Sequence, residues 1–200
     1  ADTLAAWGGK TASTPRETVL IRSRASEDFW QLRSAYNPKG KIEENAKGYY
    51  NVQWLTSFLM RNAYPFETYF QDHISMHEKE LLKYRVMILA FPYSISAEEL
   101  AVIRRAVDSG VKVVAFGAKG EVDGIGNAYG KPVLEDLIKD GEVIYFDADI
   151  ASSGNFPETG RAFDVLLNKT IGEKRTMRID SSGKNIHSSV LEVSPDEKLI

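Results

Sequence analysis

A glycine-rich segment between a predicted strand and a predicted helix has the spacing closest to a ligand-binding motif. Residues Gly124 to Gly130 read G-I-G-N-A-Y-G and imitate the G-x-G-x-x-G fingerprint of dinucleotide-binding proteins. Tyr129, however, stands where the third glycine is required, so the segment is interpreted as a flexible loop. Open α/β sheets bind ligands at the edge where this loop should lie. A pocket there would be lined by Gly117, Lys119, Glu121 and Asp123.

Two histidines at helical spacing are the candidate metal ligands. His73 and His77 are four residues apart and lie beside Asp72 and Glu78, so both imidazoles would share one face of an α-helix. A zinc site needs a third protein ligand, and the H-E-x-x-H order of zinc hydrolases is absent. We therefore predict no metal site and no cofactor, and interpret the pair as an exposed helix start. A small enzyme with its site at Asp72, His73 and His77 is kept as a rival hypothesis.

The carboxylates and serines form no recognisable catalytic constellation, and we predict no catalytic residue. Glu98 and Glu99 are explained by the favourable charge at a helix N-terminus. Glycoside hydrolysis needs two carboxyl groups about 5 to 9.5 Å apart across a sugar, which neighbours in sequence do not by themselves provide. The serines lack the G-x-S-x-G elbow of hydrolases, and the absence of cysteine excludes a thiolate nucleophile.

Composition limits the class of protein. The chain has 200 residues, of which 43% are hydrophobic, enough to bury a substantial core. The formal net charge is −3 and lysines and arginines form no cluster, so we do not expect a nucleic-acid partner. No apolar run reaches the length of about 18 residues needed to cross a membrane, so we expect no membrane partner.

The clearest structural signal is a strand, helix and strand in succession from Tyr84 to Val114. Ser96 and Glu99 form a capping box at the helix start, and Gly110 marks its end. Both strands are apolar on both faces, which is typical of parallel strands inside a sheet covered by helices. This βαβ unit indicates an α/β protein.

The remaining elements extend this pattern to a flavodoxin-like, doubly wound, mainly parallel sheet with helices on both faces. The predicted elements are a strand at Thr18 to Arg24, a helix capped by Ser26, a helix at Gly48 to Arg61, a strand at Phe66 to Phe70, a helix starting at Pro132, a strand at Glu142 to Phe146 and a helix at about Glu158 to Leu167.

The pattern changes near the C-terminus. Period-two runs on either side of Ser181 to Asn185 predict a β-hairpin between Arg175 and Val193. We therefore divide the chain into a linker at residues 1–17, an α/β domain at residues 18–170 and a hairpin region at residues 171–200. The chain ends at Leu199-Ile200, in what looks like the start of another strand, which suggests a truncated parent.

The run from Leu81 to Phe116, followed by G-E-V-D-G at Gly120 to Gly124, resembles the middle domain of family 42 β-galactosidases. The helix containing Tyr49, Tyr50 and Leu55 and the strand at Phe66 to Phe70 are also similar. The resemblance covers about Thr18 to Asp149. It implies a class I glutamine-amidotransferase-like fold, used in those enzymes as a trimerisation domain between a catalytic barrel and a small β-sandwich.

The chain departs from an active amidotransferase at one essential position. An amidotransferase resembling this fold needs a cysteine at the turn after its nucleophile strand, and the nearest equivalent, Gly117-Ala118-Lys119, has none. No His-x-Glu partner is present either. The glutamates that hydrolyse a galactoside belong to the barrel, which these residues do not include, so the resemblance implies no glycosidase activity in this chain alone.

The sequence thus predicts a non-catalytic α/β domain of a carbohydrate-active enzyme. Its expected partners are further copies of itself, as a dimer or trimer, the other domains of the parent chain, and carbohydrate. The aromatics that could stack on a sugar are Trp30, Tyr36, Tyr49, Tyr50 and Trp54, of which Trp30 and Tyr49 are assigned to the site. Aromatics at helical spacing are, however, more often part of a core. The alternative is a stand-alone small-molecule-binding or sensory module that uses the loop from Gly117 to Gly130.

Overall fold

A five-stranded parallel sheet forms the centre of the structure, a computed structural model that describes residues 15–35, 47–148, 156–172, 191–194 and 197–199. The strand order is β2-β1-β3-β4-β5. The strands are β1 (Thr18–Arg22), β2 (Phe66–Phe70), β3 (Val86–Ala90), β4 (Lys112–Phe116) and β5 (Val143–Phe146). This order is that of a flavodoxin-like, doubly wound sheet, so the predicted fold class is confirmed.

Helices cover both faces of the sheet. They are α1 (Arg24–Ala35), α2 (Lys47–Arg61), a 3₁₀ helix (Gln71–His77), α3 (Glu78–Leu81), α4 (Ala97–Asp108), α5 (Glu135–Lys139) and α6 (Phe156–Ile171). Helices α2 and α6 pack with one face of the sheet, and the 3₁₀ helix, α3, α4 and α5 pack with the other. No described helix is long and apolar enough to span a membrane.

The central strands are apolar on both faces because each separates two hydrophobic cores. Leu20 of β1 is aligned with Ile88 of β3, which is aligned with Val114 of β4, and all three belong to the core beneath α2 and α6. Val19 and Ile21, on either side of Leu20, face the other core. This alternation follows from the period of two residues along a strand.

The predicted capping box at the start of α4 is present. The Ser96 hydroxyl accepts a hydrogen bond from the Glu99 N–H at 3.2 Å, and the Glu99 carboxylate accepts one from the Ser96 N–H at 2.6 Å. Gly110, which follows the helix, has a φ of 88°, a left-handed conformation that favours glycine.

Two helix starts differ from the sequence prediction. Helix α1 begins at Arg24, and its capping residue is Ser23 rather than Ser26. The Ser23 hydroxyl accepts a hydrogen bond from the backbone N–H of Ser26 at 3.0 Å. Helix α5 begins at Glu135 rather than at Pro132. Between these positions, the N–H groups of Val133 and Leu134 donate to carbonyl groups of the preceding glycine-rich loop.

The two histidines lie on a 3₁₀ helix rather than on an α-helix. At three residues per turn, side chains four positions apart point about 120° away from each other. His73 and His77 are both exposed, and the His77 ring lies 5.0 Å from the ring of Tyr69. The shared helical face required for a two-histidine metal site is therefore absent.

The C-terminal region contains a pair of antiparallel strands, β6 (Leu191–Ser194) and β7 (Glu197–Leu199). Most of the hairpin predicted between Arg175 and Val193 lies outside the described residues, as do residues 1–14 of the predicted linker and residues 36–46.

Candidate functional site

The strand order places a topological switch point between β1 and β3. The connection after β1 runs to α1 and α2, whereas the connection after β3 runs to α4 on the opposite face. In doubly wound sheets this divergence opens a crevice at the carboxyl ends of the strands, where ligands bind. The residues around this crevice are therefore the first place to seek a site.

Buried polar groups of the chain itself occupy the switch point. The Ser26 hydroxyl accepts a hydrogen bond from the Ser94 N–H at 2.8 Å and donates to the Ser94 carbonyl at 3.3 Å. The Gln71 side-chain amide donates to the same carbonyl at 2.8 Å. Ser26, Gln71 and Ser94 are each at most 1% exposed. Because these groups satisfy one another, the network joins the segments after β1, β2 and β3 without a ligand.

The glycine-rich loop, residues 117–130, packs across this network. The Ser94 hydroxyl donates to the Asp123 carbonyl at 2.8 Å, and the Ile95 N–H donates to the Val122 carbonyl at 2.9 Å. A Cβ at Gly126 would lie 2.9 Å from the Phe29 ring, so the loop is in close contact with α1. The loop thus covers the crevice that it was predicted to line.

The predicted ligand-binding side chains of this loop contact the loop itself or its neighbours. The Lys119 ammonium lies 4.4 Å from the centre of the Tyr145 ring, a cation–π contact. The Glu121 carboxylate accepts the Lys119 N–H at 3.2 Å, and burial raises the pKa of this carboxyl group. The Asp123 carboxylate accepts the N–H groups of Ile125 and Asn127 at 3.0 and 2.8 Å. These contacts stabilise the loop conformation.

Gly117 lies where the loop leaves the sheet and is closely surrounded. It has a φ of 80°, and a Cβ there would lie 2.6 Å from the Asn51 side-chain nitrogen and 3.3 Å from the Phe91 ring. The Asn51 amide donates to the Ala148 carbonyl at 3.1 Å, which joins α2 to the end of β5. Glycine is required here by both backbone conformation and space.

Trp30 belongs to an aromatic cluster at the same edge, whereas Tyr49 does not. The Trp30 ring packs edge-on against Phe91 at 5.3 Å and Tyr93 at 5.1 Å. Phe91 is 1% exposed and has a φ of 52°, an uncommon value for a bulky residue. Tyr49 is 44% exposed on α2 and contacts Tyr50. The structure therefore brings Trp30 and Gly117 together through Phe91 and leaves Tyr49 on the helix surface.

A second candidate site, which the sequence did not predict, is a groove of about 440 Å³ between α2 and α6. We call it the α2/α6 groove. Its lining comprises Trp54, Ser57, Phe58, Arg61 and Asn62 from α2 and its end, with Phe156, Pro157, Gly160, Arg161 and Asp164 from α6. The two helices are about a hundred residues apart in sequence, so only their meeting in the fold reveals the groove. The helical spacing of Trp54, Phe58 and Arg61 was the one available signal.

Comparison with known proteins adds no family to this geometry. No protein-family model matches the chain, and no curated protein matches it in sequence. Within the described residues, no three His, Cys, Asp or Glu side chains are grouped closely enough to hold a metal ion. The fold and the site together define a flavodoxin-like α/β domain whose switch point is packed with its own side chains.

Proposed function

We propose that this chain is a non-catalytic α/β domain of a carbohydrate-active enzyme, similar to the middle domain of β-galactosidases, that mediates oligomerisation and forms one wall of a sugar site. The observation that carries the proposal is the packing of the switch point by Ser26, Gln71 and Ser94 beneath the glycine-rich loop. Packing of this kind at the carboxyl ends of the strands stabilises the fold. The outer faces of the helices then remain as the surfaces for partners.

The residue at the strained end of β3 supports a structural role. Nucleophiles of α/β enzymes are displayed on strained turns directly after a strand, and strained backbone is concentrated at functional positions. In this chain the left-handed residue directly after β3 is Phe91. Its ring has no nucleophilic atom and packs against Trp30 and Tyr93. Phe91 thus anchors the aromatic cluster at the position where an enzyme would place its reacting group.

The distribution of exposed apolar side chains supports self-association. Five of the nine large hydrophobic residues that are exposed in the described structure lie on α2 and α6, namely Tyr49, Tyr50, Met60, Phe156 and Val165. None of the nine lies on α4 or α5, which cover the opposite face of the sheet. Exposed apolar surface concentrated on one face is typical of an interface. We infer that a second copy of this chain packs against the exposed apolar side chains of α2 and α6 and leaves the α2/α6 groove open at the edge of the contact.

Light scattering on a dilution series tests this assembly. We expect the unmodified chain to have the mass of a dimer or trimer, and Met60→Glu or Val165→Glu to shift it towards the monomer, because each places a charge in the interface. Met76→Glu is the matched control, since Met76 is 78% exposed on the 3₁₀ helix. A monomeric parent chain, or equal dissociation by the control variant, would contradict the proposal.

The alternative is a stand-alone small-molecule-binding or sensory module with an amidotransferase-like fold that lacks the catalytic cysteine. The observation that favours it is the α2/α6 groove, whose volume lies in the range of small-molecule pockets. This alternative predicts a monomer that retains a small molecule through purification, which mass spectrometry under native conditions would detect.

A further inference from the structure

We propose that the α2/α6 groove binds a sugar acid, a monosaccharide that carries a carboxylate group. The anionic part of this inference comes from the groove itself, and the saccharide part rests on the proposed function. Two features of the groove carry it: two arginines that have no partner among the described residues, and an aromatic floor that includes Trp54.

The groove concentrates positive charge on a chain whose net charge is negative. Arg61 and Arg161 both line it, both are exposed, and neither has an ion-pair or hydrogen-bond partner among the described residues. The formal net charge of the whole chain is −3. Two guanidinium groups at one groove therefore favour an anionic ligand, and their planar donors match a carboxylate in bidentate geometry.

The acidic residue of the groove is already engaged by neighbouring side chains. One oxygen of the Asp164 carboxylate accepts the Tyr64 hydroxyl at 2.6 Å, and the other accepts the Asn168 amide at 3.0 Å. Asp164 thus joins α6 to the segment after α2 and does not pair with either arginine. No acidic side chain of the described residues therefore competes with a ligand for the two arginines.

The floor of the groove is a fixed aromatic surface. The Trp54 ring stacks on Phe58 at 5.1 Å and on Phe116 at 5.6 Å, with interplanar angles of 18° and 21°. Gly160 of α6 lies beside it, and even an added Cβ there would be 3.9 Å from the Trp54 ring. Such a Cβ would already be in van der Waals contact with the indole, so α6 packs closely at this point and a ligand reaches Trp54 only where that side chain lines the groove.

A sugar acid combines the groups that this groove can recognise. The apolar face of a pyranose ring stacks on an indole, and hydroxyl groups at its edge can bond with Ser57, which also lines the groove. The carboxylate then pairs with Arg61 and Arg161. A neutral sugar would leave both arginines without a partner, and a simple aryl carboxylate would not use the polar edge.

Fluorine NMR of the full chain labelled with 5-fluorotryptophan tests this inference with two internal reporters. Trp54 reports on the groove, and Trp30, which the sequence predicted as a sugar-stacking residue, reports on the carboxyl edge of the sheet. Each resonance is assigned by a Trp→Phe variant. The chain is titrated separately with sodium galacturonate, galactose and sodium benzoate.

We expect galacturonate to shift the Trp54 resonance, to leave Trp30 unchanged, and to bind more tightly than galactose or benzoate. Arg61→Gln and Arg161→Gln should each weaken binding by about tenfold or more, since each removes a charged hydrogen-bonding partner. Arg104→Gln, which changes an exposed arginine on α4, should bind galacturonate like the unmodified chain.

Each other outcome would overturn the inference. An unmoved Trp54 resonance excludes the groove, and a shift of Trp30 in its place would put the sugar at the carboxyl edge of the sheet. Equal binding of galactose would remove the requirement for a carboxylate, and equal binding of benzoate would remove the saccharide. The assembly is tested separately by its mass, so a monomer that binds galacturonate would contradict the proposed oligomer and not the groove.

Discussion

Replacement of Ser26 by alanine should destabilise the fold through a single buried N–H group. The Ser26 hydroxyl is the acceptor for the Ser94 N–H at 2.8 Å, and the site is fully buried. The Ser94 carbonyl still accepts the hydrogen bond from the Gln71 side-chain amide at 2.8 Å in this variant. Only the Ser94 N–H is therefore left without a partner. A buried polar group that loses its partner costs about 1–3 kcal/mol. We expect the free energy of unfolding to fall by that amount.

Urea unfolding, followed by circular dichroism, measures this change, with Ser109→Ala as control because Ser109 is exposed at the end of α4. The control should stay within about 0.5 kcal/mol of the parent chain. For a chain of this size, about 1 kcal/mol corresponds to a melting temperature lower by about 2–4 °C. Hydrogen exchange of the Ser94 amide should also become faster in Ser26→Ala. A loss no larger than that of the control, with unchanged exchange, would refute a closed network at the switch point.

Four further predictions concern the groove, the glycine-rich loop, a helix cap and a buried carboxyl group. Gly160→Ala should stabilise the chain by about 1 kcal/mol in urea unfolding, because alanine favours a helix and its Cβ meets nothing closer than 3.8 Å. Gly117→Ala should destabilise it by about 1–3 kcal/mol, because its φ is 80° and its Cβ would overlap the Asn51 side chain; the reverse order of these two variants would contradict the packing described. Ser96→Ala should cost about 1 kcal/mol in the same assay through loss of the cap of α4, and a neutral result would mean that the capping box contributes nothing. Burial raises the pKa of Glu121, so the folded state keeps this proton to higher pH than the unfolded chain, and the resulting stability is lost as pH rises above about 4. Glu121→Gln should therefore lose less stability than the parent chain between about pH 4 and neutral pH, as measured by urea unfolding at each pH.

The parts of the fold that the sequence predicted depend on local signals. Ser96 and Glu99 are three residues apart, so their capping box can be predicted from the sequence, and it is present in the structure. The strand at Phe66–Phe70 was predicted with its observed bounds, since Pro65 and a change of periodicity mark its start. The apolar residues of β3 and β4 predicted a parallel sheet because only buried strands are apolar on both faces.

The candidate site depended on contacts between distant segments, which the sequence could not show. Nothing near Gly126 indicates that it packs against Phe29, about a hundred residues earlier, and the bonds between Ser26 and Ser94 join segments 68 residues apart. The left-handed conformation of Phe91 has no sequence signal, because such conformations are typical of glycine and asparagine. Local spacing therefore predicted the loop from Gly117 to Gly130 but not where it packs.

Mass spectrometry of the purified chain under native conditions tests the central claim most directly, because it counts subunits and detects a bound molecule in the same spectrum. One copy of the chain has a mass of 22.4 kDa. If the chain is an assembly domain with a closed switch point, the spectrum should show two or three times this mass. Val165→Glu should shift the signal to the mass of one copy. A chain that stays monomeric at every concentration, above all one that carries the added mass of a nucleotide or flavin, would contradict the account.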